Sequence, residues 1–516
     1  MPDQAEPYQG RTGSTRLRTA TSLLSGWLLP GSVLVYSLAS CALLIAQQAQ
    51  SLFWPTEVGY GDLYVFHGVR QFQQTGVIYQ DLARGLPSIY GPLLYLVLSI
   101  PGRVLMGENP LLGPRLIVLV VFLLCVLMAV SITHTLIPHR RVWLWGVPLA
   151  LSFPLMSGWV LQIRGDFMAT FFSLITLRLL LSRRAAGVTL LAGACAGFAT
   201  QFKVTYVAAL AVGLFWLAAV RRWKALAFFA LGGALTCIGI YGLVVLREPR
   251  VFEQMLVLGR PVVDYRGLVK IVYSVATEPV VMLGLSMLPF LPWRWRGPWT
   301  LVVSFTVISF CIAAGTALNA GGNVNYFWES LFGLVPLATF AILKLRRPNY
   351  AVAGLLLCGL LVINYAVPLG REAFGIARTL PVTLAEQHRK ERIFRAAFQN
   401  QKVLSFVPAL GFFTSEVVLS DPFLASHLES VGKFDLRPLA GRIRAQAFDL
   451  IVTPSEPVRY RGNMLVSPTL GMAIGEAYEP FCQMERVVML VRRNSAGPLT
   501  GRLVELGCRA TAGLPR

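Results

Sequence analysis

The chain has 516 residues, of which 55% are hydrophobic and 14% are charged, and its formal net charge is +21. The apolar residues fall in repeated blocks close to the length of about 20 residues that a helix needs to cross a bilayer, which excludes an ordinary soluble domain and predicts a polytopic membrane protein. The positive charge does not indicate a nucleic-acid partner, because many Lys and Arg residues stand in short clusters between apolar blocks, as in the cytoplasmic loops of membrane proteins.

The first apolar run follows a basic N-terminal tail. Arg11, Arg16 and Arg18 precede residues 19–56, which carry no charge. The positive-inside rule therefore keeps residues 1–22 in the cytoplasm and sends the first helix outward. Because this run is long enough to span and lacks a cleavage site after a short apolar core, we expect it to remain as an anchor and not to be removed as a signal peptide.

Residues 51–114 are predicted to form a large first loop on the outer face. Their apolar piece, YGPLLYLVLSIPGR, is broken by Pro92 and Pro101, and the eight residues between these prolines are too few to span the bilayer. Counting the piece as a span would place the later basic clusters, beginning with residues 139–141, on the outer face, against the positive-inside rule. We therefore interpret it as interfacial or re-entrant.

Ten further spans follow, and with the first they make about eleven transmembrane helices in a membrane domain of residues 23–369. They are predicted at about 115–135, 142–163, 167–182, 186–202, 204–220, 225–246, 270–292, 298–319, 327–343 and 349–369. In this layout the short basic clusters between spans all face the cytoplasm, and the remaining loops face outward.

Residues 370–516 are far less apolar and are predicted to form a small extracytoplasmic α/β domain. Short β-type runs (KVLSFV, EVVLSD, FDLIVT and RVVMLVRR) alternate with helical patterns around residues 423–432 and 438–447. The segment carries two of the eight cysteines, Cys482 and Cys508, which could pair in an oxidising compartment. The sequence alone does not decide whether they pair.

Asp62, in the stretch GYGDLYVFHGV, begins an amphipathic pattern in the first outer loop. It lies on the same helical face as Val65, Phe66 and Val69, so its carboxylate is predicted to point inward. The structural alternative is a plain helix start, where an Asp accepts hydrogen bonds from free N–H groups. Both interpretations stay open for the residue on its own.

Two outer turns between later spans add an acid and two cations. In QIRGDF, Asp166 follows Arg164, and the alternative to a functional site is turn chemistry with an Arg that anchors to headgroups. In ATQFKVTYVAA, Lys203 must meet a headgroup, water or an anionic ligand such as a phosphate. A Lys that extends to the interface is the structural alternative.

The outer loop of residues 247–268 is unusually basic for its side of the membrane. It contains Arg247, Arg250, Arg260 and Arg266. These side chains suit a phosphate-bearing lipid, and the alternative is that they are solvated or bind headgroups.

Glu329, in NAGGNVNYFWESLFGLVPLATF, is followed by only fourteen uncharged residues before Lys344. The helix is therefore predicted to begin before Glu329 and to carry the acid into the membrane, where ionisable residues are usually functional. Asn323, Asn325 and Tyr326 stand beside it as hydrogen-bonding groups. The structural alternative is a helix cap or a polar contact between helices.

Taken in chain order, these residues resemble the GT-C membrane glycosyltransferases of the family 39 type, which include protein O-mannosyltransferases and lipid A aminoarabinose transferases. The likeness covers nearly the whole chain and is to bacterial members. It is carried by GYGDLYVFHGVRQFQQTGVIYQD (first outer loop), YGPLLY (Pro-Pro-Leu-Tyr-Tyr element), Arg164-Gly165-Asp166 (Arg-x-Asp), Gln201-Phe202-Lys203 (lysine near the lipid phosphate) and GNVNYFWE (Asn-Tyr-Phe-x-Glu). Two positions depart from the family pattern: Gly61 replaces one acid of an Asp-Glu pair, and Gly91 replaces one proline.

The resemblance implies a sugar donor linked to polyprenyl phosphate and an acceptor hydroxyl on a lipid, a glycan or a protein. It implies a site on the outer face of the bacterial inner membrane, with Asp62 as the catalytic base and Asp166 orienting the acceptor or an ion. The residues implied for the donor phosphate are Lys203, Arg260 and Arg266, and those for substrate binding are Arg164, Tyr90, Asn325, Tyr326 and Glu329. No cofactor is certain, and dependence on a divalent metal is left open.

The main alternative function is a transporter or flippase for a lipid-linked or anionic solute, with Glu329 and Asp166 as intramembrane carboxylates. Three features weigh against a transporter: the sequence lacks a two-fold internal repeat, the number of predicted spans is odd, and the predicted exported tail is large. An O-antigen ligase or polymerase is a third interpretation. A structural scaffold is favoured least, because it would not need outer-face acids at three helix boundaries.

Overall fold

The structure of the chain, a computed structural model, describes residues 29–54, 61–79, 87–104, 111–156, 160–182, 186–255, 264–286, 288, 291, 297–318, 323–345, 367–411, 413–414, 419, 421–455, 459–460, 463–484, 487–493, 498–506 and 508–510.

Most of the described chain is helical. The helices are α1 Leu29–Ser51, α2 Asp62–Thr75, α3 Pro92–Val104, α4 Leu112–Leu136, α5 Arg141–Met156, α6 Asp166–Leu181, α7 Ala186–Phe202, α8 Ala208–Ala219, α9 Trp223–Arg247, α10 Val251–Met255, α11 Tyr265–Ala276, α12 Pro279–Ser286, α13 Pro298–Ala317, α14 Trp328–Leu345, α15 Val367–Phe398, α16 Pro408–Gly411, α17 Pro422–Ser430, α18 Arg437–Arg444, α19 Pro468–Ala477 and α20 Pro498–Glu505. A 3-10 helix, Val324–Phe327, leads directly into α14.

Several helices are long and apolar enough to cross a bilayer. Within the described ranges, four qualify individually by length and composition: α4, α9, α13 and the run from Val324 to Lys344 that contains α14. On α9, the apolar side chains of Ile238, Leu243 and Leu246 are 71%, 71% and 86% exposed, as expected of a lipid-facing surface. The chain is therefore a membrane protein. The predicted total of eleven spans stays a prediction, because the last of them lies outside the described residues.

The span predicted at 270–292 is not one straight helix. The structure has α11 and α12 in its place, and they meet at an angle of 71°. The break falls at Glu278, and Pro279 supplies its cause, because a proline disfavours helical geometry in the residue before it and cannot donate a backbone hydrogen bond. This bent pair counts as a fifth crossing if its two halves form a single span.

Helices α7 and α9 pack backbone to backbone through glycines. A Cβ atom added at Gly193 of α7 would lie 2.0 Å from the carbonyl oxygen of Phe229, and one added at Gly232 of α9 would lie 2.1 Å from that of Leu190. Small residues at such crossings are typical of membrane helices, which gain stability from close packing. The crossing fixes the position of the C-terminal end of α7, which leads to Lys203.

The apolar piece of the predicted first outer loop forms α3, a helix of 13 residues. Such a helix is about 20 Å long, which is short of the hydrocarbon thickness of about 30 Å. Leu94, Tyr95 and Leu98 are fully buried on it, and it packs against α2, α4 and α7. The helix therefore belongs to the protein interior at the end of the bundle that carries the first loop.

Helix α15 connects the membrane helices to the C-terminal segment without a break. Near its start it packs on α1, so closely that a Cβ atom at Gly370 would lie 1.6 Å from the hydroxyl oxygen of Tyr36. Near its end, Phe394 and Phe398 are buried in the core of the C-terminal sheet. The predicted boundary at residue 370 falls inside this helix, and the division at that residue stays a prediction.

The C-terminal segment contains a five-stranded sheet with helices around it. The strands are β1 Val403–Ser405, β2 Leu450–Pro454, β5 Tyr478–Met484, β6 Val487–Arg492 and β7 Arg509–Ala510, and a separate hairpin is formed by β3 Arg459–Tyr460 and β4 Asn463–Met464. The order in the sheet is β1-β2-β6-β5-β7, with β1 parallel to β2 and the other pairs antiparallel. Three of the β-type runs correspond to β1, β2 and β6, whereas most of the run EVVLSD lies outside the described residues.

Side chains on both faces of this sheet are buried. Along β2, Leu450 and Val452 pack into one core while Ile451 packs into the other, as the two-residue period of a strand requires. A disulfide joins Cys482 of β5 to Cys508, just before β7. The unit also reaches the membrane domain, because a Cβ atom at Gly411 would lie 2.4 Å from Cδ2 of Leu63.

Candidate functional site

Asp62 is the first residue of α2, and its side chain is fully buried. Gly61 precedes it with φ of +100°, a left-handed conformation that glycine adopts without strain. The Oδ1 atom of Asp62 accepts a hydrogen bond from the backbone N–H of Ile163 at 2.9 Å. The Asp62 carboxylate therefore binds the turn that precedes α6. Ile163 in this turn is 101 residues away in sequence from Asp62, the residue that begins α2.

Arg164 interacts electrostatically with both Asp62 and Asp166. Its Nη2 atom would be 2.8 Å from a Cβ atom added at Gly61, so the guanidinium touches the start of α2. One cation therefore balances part of the charge on both carboxylates, which is the condition for keeping acids in a buried place. Arg164 as a residue is partly exposed, while its Nε atom is buried.

Asp166, the first residue of α6, is the centre of a buried hydrogen-bond network. Its Oδ1 atom accepts from Nζ of Lys203 at 2.6 Å and from Nδ2 of Asn325 at 2.9 Å. The hydroxyl of Tyr206 lies 3.1 Å from the same oxygen and 3.0 Å from the carbonyl oxygen of Asn325. Asp166 is 2% exposed and Lys203 is 7% exposed. The geometry is that of a built polar site, whereas a simple turn would leave these groups in solvent.

Two tyrosines lie close to the Lys203 ammonium. Its Nζ atom is 3.9 Å from the centroid of the Tyr326 ring, a short cation–π distance. Tyr90 interacts electrostatically with both Arg164 and Lys203. Burial raises the pKa of Tyr90 to about 12, so its phenol stays protonated at neutral pH and can act as a hydrogen-bond donor.

Glu329 lies deeper than Asp166 and is 4% exposed. Its Oε1 atom accepts a short hydrogen bond from the hydroxyl of Ser173, which stands seven residues, or about 10 Å, further along α6 than Asp166. The rings of Trp328 and Phe167 stack with centroids 5.3 Å apart and join the starts of α14 and α6. The Glu329–Ser173 hydrogen bond therefore links α14 to α6 further along α6 than the network at Asp166.

Two glycines allow separate loops to meet at the end of α7. A Cβ atom added at Gly91 would lie 1.9 Å from the carbonyl oxygen of Gln201, and one at Gly165 would lie 2.8 Å from that of Phe202. The N–H of Gly91 also donates to the Phe202 carbonyl at 3.3 Å. The departure from the family's proline at position 91 thus has a steric reason in this chain, because only glycine fits against this backbone.

Two buried oxygens of the network have no hydrogen-bond partner among the described residues. They are Oδ2 of Asp166 and Oδ1 of Asn325. Buried acceptors without partners are rare in proteins and are usual where a ligand supplies the donors. These two oxygens can accept hydrogen bonds from donors that enter the site.

The described residues contain no cluster of the usual metal-binding side chains. No group of three or more His, Cys, Asp or Glu side chains within them is placed to hold an ion. At Asp166, the Lys203 ammonium occupies the Oδ1 side of the carboxylate.

The structure brings together most of the residues predicted for the site. Asp62, Arg164, Asp166, Lys203 and Tyr90 are linked by the contacts described above, and so are Asn325, Tyr326 and Glu329. Arg260 lies outside the described residues, and Arg266 has an exposed side chain on α11. Arg164 and Lys203 both interact electrostatically with Tyr90 and Asp166.

The sequence analysis missed Tyr206 and Ser173. Tyr206 stands three residues after Lys203, in the same turn between α7 and α8. This short spacing could have indicated that both side chains belong to one site. Ser173 carries no signal in its own sequence context, because a serine inside an apolar helix is common and its partner Glu329 is 156 residues away.

No protein-family model matches the chain, and no curated protein matches it. Solved structures do match. ArnT from Cupriavidus metallidurans bound to undecaprenyl phosphate is 14% identical, over 95% of this chain and 100% of that chain, with a TM-score of 0.58. The same protein in the apo state is 15% identical over 91% of this chain and 99% of that one, with a TM-score of 0.57. The archaeal oligosaccharyltransferase AglB from Archaeoglobus fulgidus is 11% identical over 95% and 75%, with a TM-score of 0.49.

The two ArnT structures establish the fold. The match extends over nearly the whole of both chains, and the chain therefore has the GT-C fold of membrane glycosyltransferases. The narrower resemblance to the family 39 type stays a prediction.

Proposed function

We propose that this GT-C chain is a glycosyltransferase that moves a sugar from a polyprenyl-phosphate donor to an acceptor hydroxyl on the outer face of a bacterial inner membrane. The observation that carries the proposal is one buried site in which Lys203 binds Asp166 and in which Arg164 and Lys203 both interact electrostatically with the Tyr90 phenol. ArnT, which has the same fold, was solved with undecaprenyl phosphate.

The cations suit the phosphate of such a donor. The Lys203 ammonium has three N–H donors, and Asp166 uses one of them. Another donor of Lys203, with the Arg164 guanidinium and the Tyr90 hydroxyl, can bind the phosphate oxygens as they become more negative during departure of the leaving group. Preorganised donors of this kind stabilise a transition state without reorganising. Arg260 and Arg266 remain further candidates for the same phosphate.

Asp62 is the proposed general base. In the proposed reaction, the acceptor oxygen attacks the anomeric carbon, the bond from that carbon to the phosphate oxygen breaks, and polyprenyl phosphate leaves with the electron pair. The hydroxyl proton goes to the carboxylate of Asp62. Direct displacement of this kind inverts the anomeric centre. Burial of Asp62 and its hydrogen bond to Ile163 keep the carboxylate in a fixed direction.

Asp166, Asn325, Tyr326 and Glu329 are proposed to bind and orient the reacting groups. The unpartnered oxygens of Asp166 and Asn325 can accept hydrogen bonds from sugar or acceptor hydroxyls. Tyr326 is partly exposed, and its ring contacts the Lys203 ammonium. Glu329 is proposed to support this group through its hydrogen bond from Ser173.

The proposed location follows from charge and from cysteine chemistry. The basic clusters between helices suit the cytoplasmic face, which leaves the site and the C-terminal segment outside. The Cys482–Cys508 disulfide supports this orientation, because disulfides persist in oxidising compartments such as the periplasm. Nucleotide sugars are not supplied there, which supports a lipid-linked donor.

The experiment that tests the function is transfer of radiolabel from a panel of polyprenyl-phosphate sugars in membranes that contain the protein. An extract of endogenous lipids and glycans and a set of exported proteins serve as acceptors. We expect label in a new glycosidic bond with one of the donors. Movement of donor across the bilayer without a new bond would refute the transferase and establish the flippase.

A further inference from the structure

The segment after α9 holds the first outer loop through one carboxylate. Glu248 is the C-cap residue of α9 and is 7% exposed. Its Oε2 atom accepts hydrogen bonds from the backbone N–H groups of Ile78 at 2.9 Å and Tyr79 at 2.6 Å. Bonds to an ionised acceptor are about twice as strong as neutral ones. Glu248 therefore fixes the backbone of residues 78–79.

A second contact leads from this point to the site. The hydroxyl of Tyr79 donates to the carbonyl oxygen of Tyr90 at 2.7 Å. The next residue, Gly91, donates its N–H to the carbonyl of Phe202, one residue before Lys203. The backbone of Tyr90 is therefore held from one side by Glu248 through Tyr79 and from the other by the end of α7.

Further bonds hold the same part of the loop. Gln254 of α10 accepts from the N–H of Ser88 at 2.9 Å, and the Ser88 hydroxyl donates to the carbonyl of Ile78 at 3.0 Å. The Tyr64 hydroxyl accepts from the N–H of Ile89 at 3.2 Å. Residues 78–79 and 88–90 are thus tied to each other as well as to the segment after α9.

We propose that Glu248 is a positioning residue of the glycosyl transfer, which fixes Tyr90 beside the end of α7 and Lys203 by holding Tyr79. The proposal rests on the proposed function. The mechanical reason is that Tyr90 belongs to a loop and not to a helix, so its direction depends on the bonds of its own backbone. A catalytic group must be held within about 0.5 Å of its productive place, and loops achieve this only with such support.

The test is steady-state transfer by purified protein, with kcat and KM for the donor measured separately. The variants are Glu248→Ala, which removes the acceptor, and Glu248→Gln, which keeps a neutral one. The matched control is Glu253→Gln, since Glu253 is exposed on the adjacent α10. We expect Glu248→Ala to lower kcat/KM about tenfold, mainly through kcat, because Tyr90 is proposed to bind the phosphate as its negative charge develops. The Gln variant should lie between it and the wild type, and the control should be unchanged.

A double-mutant cycle distinguishes positioning from general support of the fold. If Glu248 acts through Tyr90, then Glu248→Ala should change kcat/KM by less than about twofold when Tyr90→Phe is already present. Amide exchange should also rise in residues 78–79 in the Ala variant. Should that variant fail to fold, Tyr79→Phe removes only one oxygen, and the same cycle can be made with it.

The outcomes separate this proposal from the function on which it rests. Active wild type with additive effects of the two substitutions, or with kcat/KM unchanged in Glu248→Ala, overturns the positioning role alone. A wild type that transfers no sugar from any donor overturns the proposed function, and the positioning role with it.

Discussion

Replacing Gly91 with alanine is a direct test of how the site is assembled. The added Cβ atom would lie 1.9 Å from the carbonyl oxygen of Gln201 and 2.4 Å from its carbonyl carbon. Both are backbone atoms near the end of a packed helix, so the clash cannot be relieved by a change of side-chain rotamer. Non-bonded carbon and oxygen atoms are normally about 3.5 Å apart, so the start of α3 must move away from Gln201 by about 1.5 Å.

The expected effects have two different magnitudes. Forced overpacking of this kind costs about 1 to 3 kcal/mol of folding free energy. The effect on transfer should be larger, because misplacing a reactive geometry by about 1 Å can cost a factor of about 100. Tyr90 moves with Gly91, and Tyr90 is proposed to bind the donor phosphate.

The assay compares thermal unfolding and kcat/KM of Gly91→Ala with those of Gly187→Ala. Gly187 is a suitable control, because it lies near the start of α7 with nothing within 4 Å of an added Cβ atom. In that place alanine should be neutral or stabilising by up to about 1 kcal/mol, as in any exposed helix. If the two variants match each other in stability and in kcat/KM, the close approach of Gly91 to α7 is refuted.

Three further predictions concern the site, the disulfide and the helix packing. Lys203→Gln should weaken binding of undecaprenyl phosphate at least tenfold. It should also lower the free energy of unfolding by about 3 to 5 kcal/mol, because the buried Asp166 carboxylate loses its ion-pair partner. Equal binding of undecaprenyl phosphate by variant and wild type in native mass spectrometry would contradict the first expectation. Replacing Cys482 and Cys508 together by serine should destabilise the C-terminal sheet by about 3 to 4 kcal/mol, since the bond closes a loop of 26 residues, and an unchanged unfolding transition would exclude that contribution. Gly232→Ala should lower the melting temperature relative to Gly239→Ala, whose added Cβ atom meets nothing within 4 Å, and equal values would argue against the tight crossing of α7 and α9.

The positions of most membrane helices could be predicted from the sequence. The span expected at 115–135 is α4, Leu112–Leu136, and the one expected at 186–202 is α7, Ala186–Phe202. These positions are local properties, because a run of apolar residues between charges or turns is enough to define such a helix. Pro279 is also a local signal for a bend, but the long apolar run that contains it led to the prediction of a single span.

The contacts inside the site could be predicted only in part. The acids and Lys203 were expected on one face, because hydropathy and charge assign each loop to a side of the membrane. Which loops touch is a different matter: Asn325 and Asp166 are 159 residues apart, and no local pattern joins them. The same limit explains why Glu248 was missed, because its partners are backbone N–H groups that have no signature in the sequence.

The C-terminal sheet shows a similar limit. The runs that correspond to β2 and β6 are rich in Val, Ile and Leu and were recognised as strands. The strand β5, with the sequence YEPFCQM, contains a proline and a glutamate and has no strand-like pattern. Its place beside β6 is fixed by tertiary pairing and by the bond between Cys482 and Cys508.

The central claim is that Asp62 accepts the proton of the acceptor, and turnover and donor binding measured side by side on purified Asp62→Asn test it most directly. Asn keeps the size of Asp62 and a carbonyl oxygen for the Ile163 N–H, so we predict normal insertion and binding of the polyprenyl-phosphate donor. We predict a loss of kcat by a factor of about 100 or more, the usual contribution of a general base. Wild-type kcat in the correctly inserted Asn variant would contradict the account.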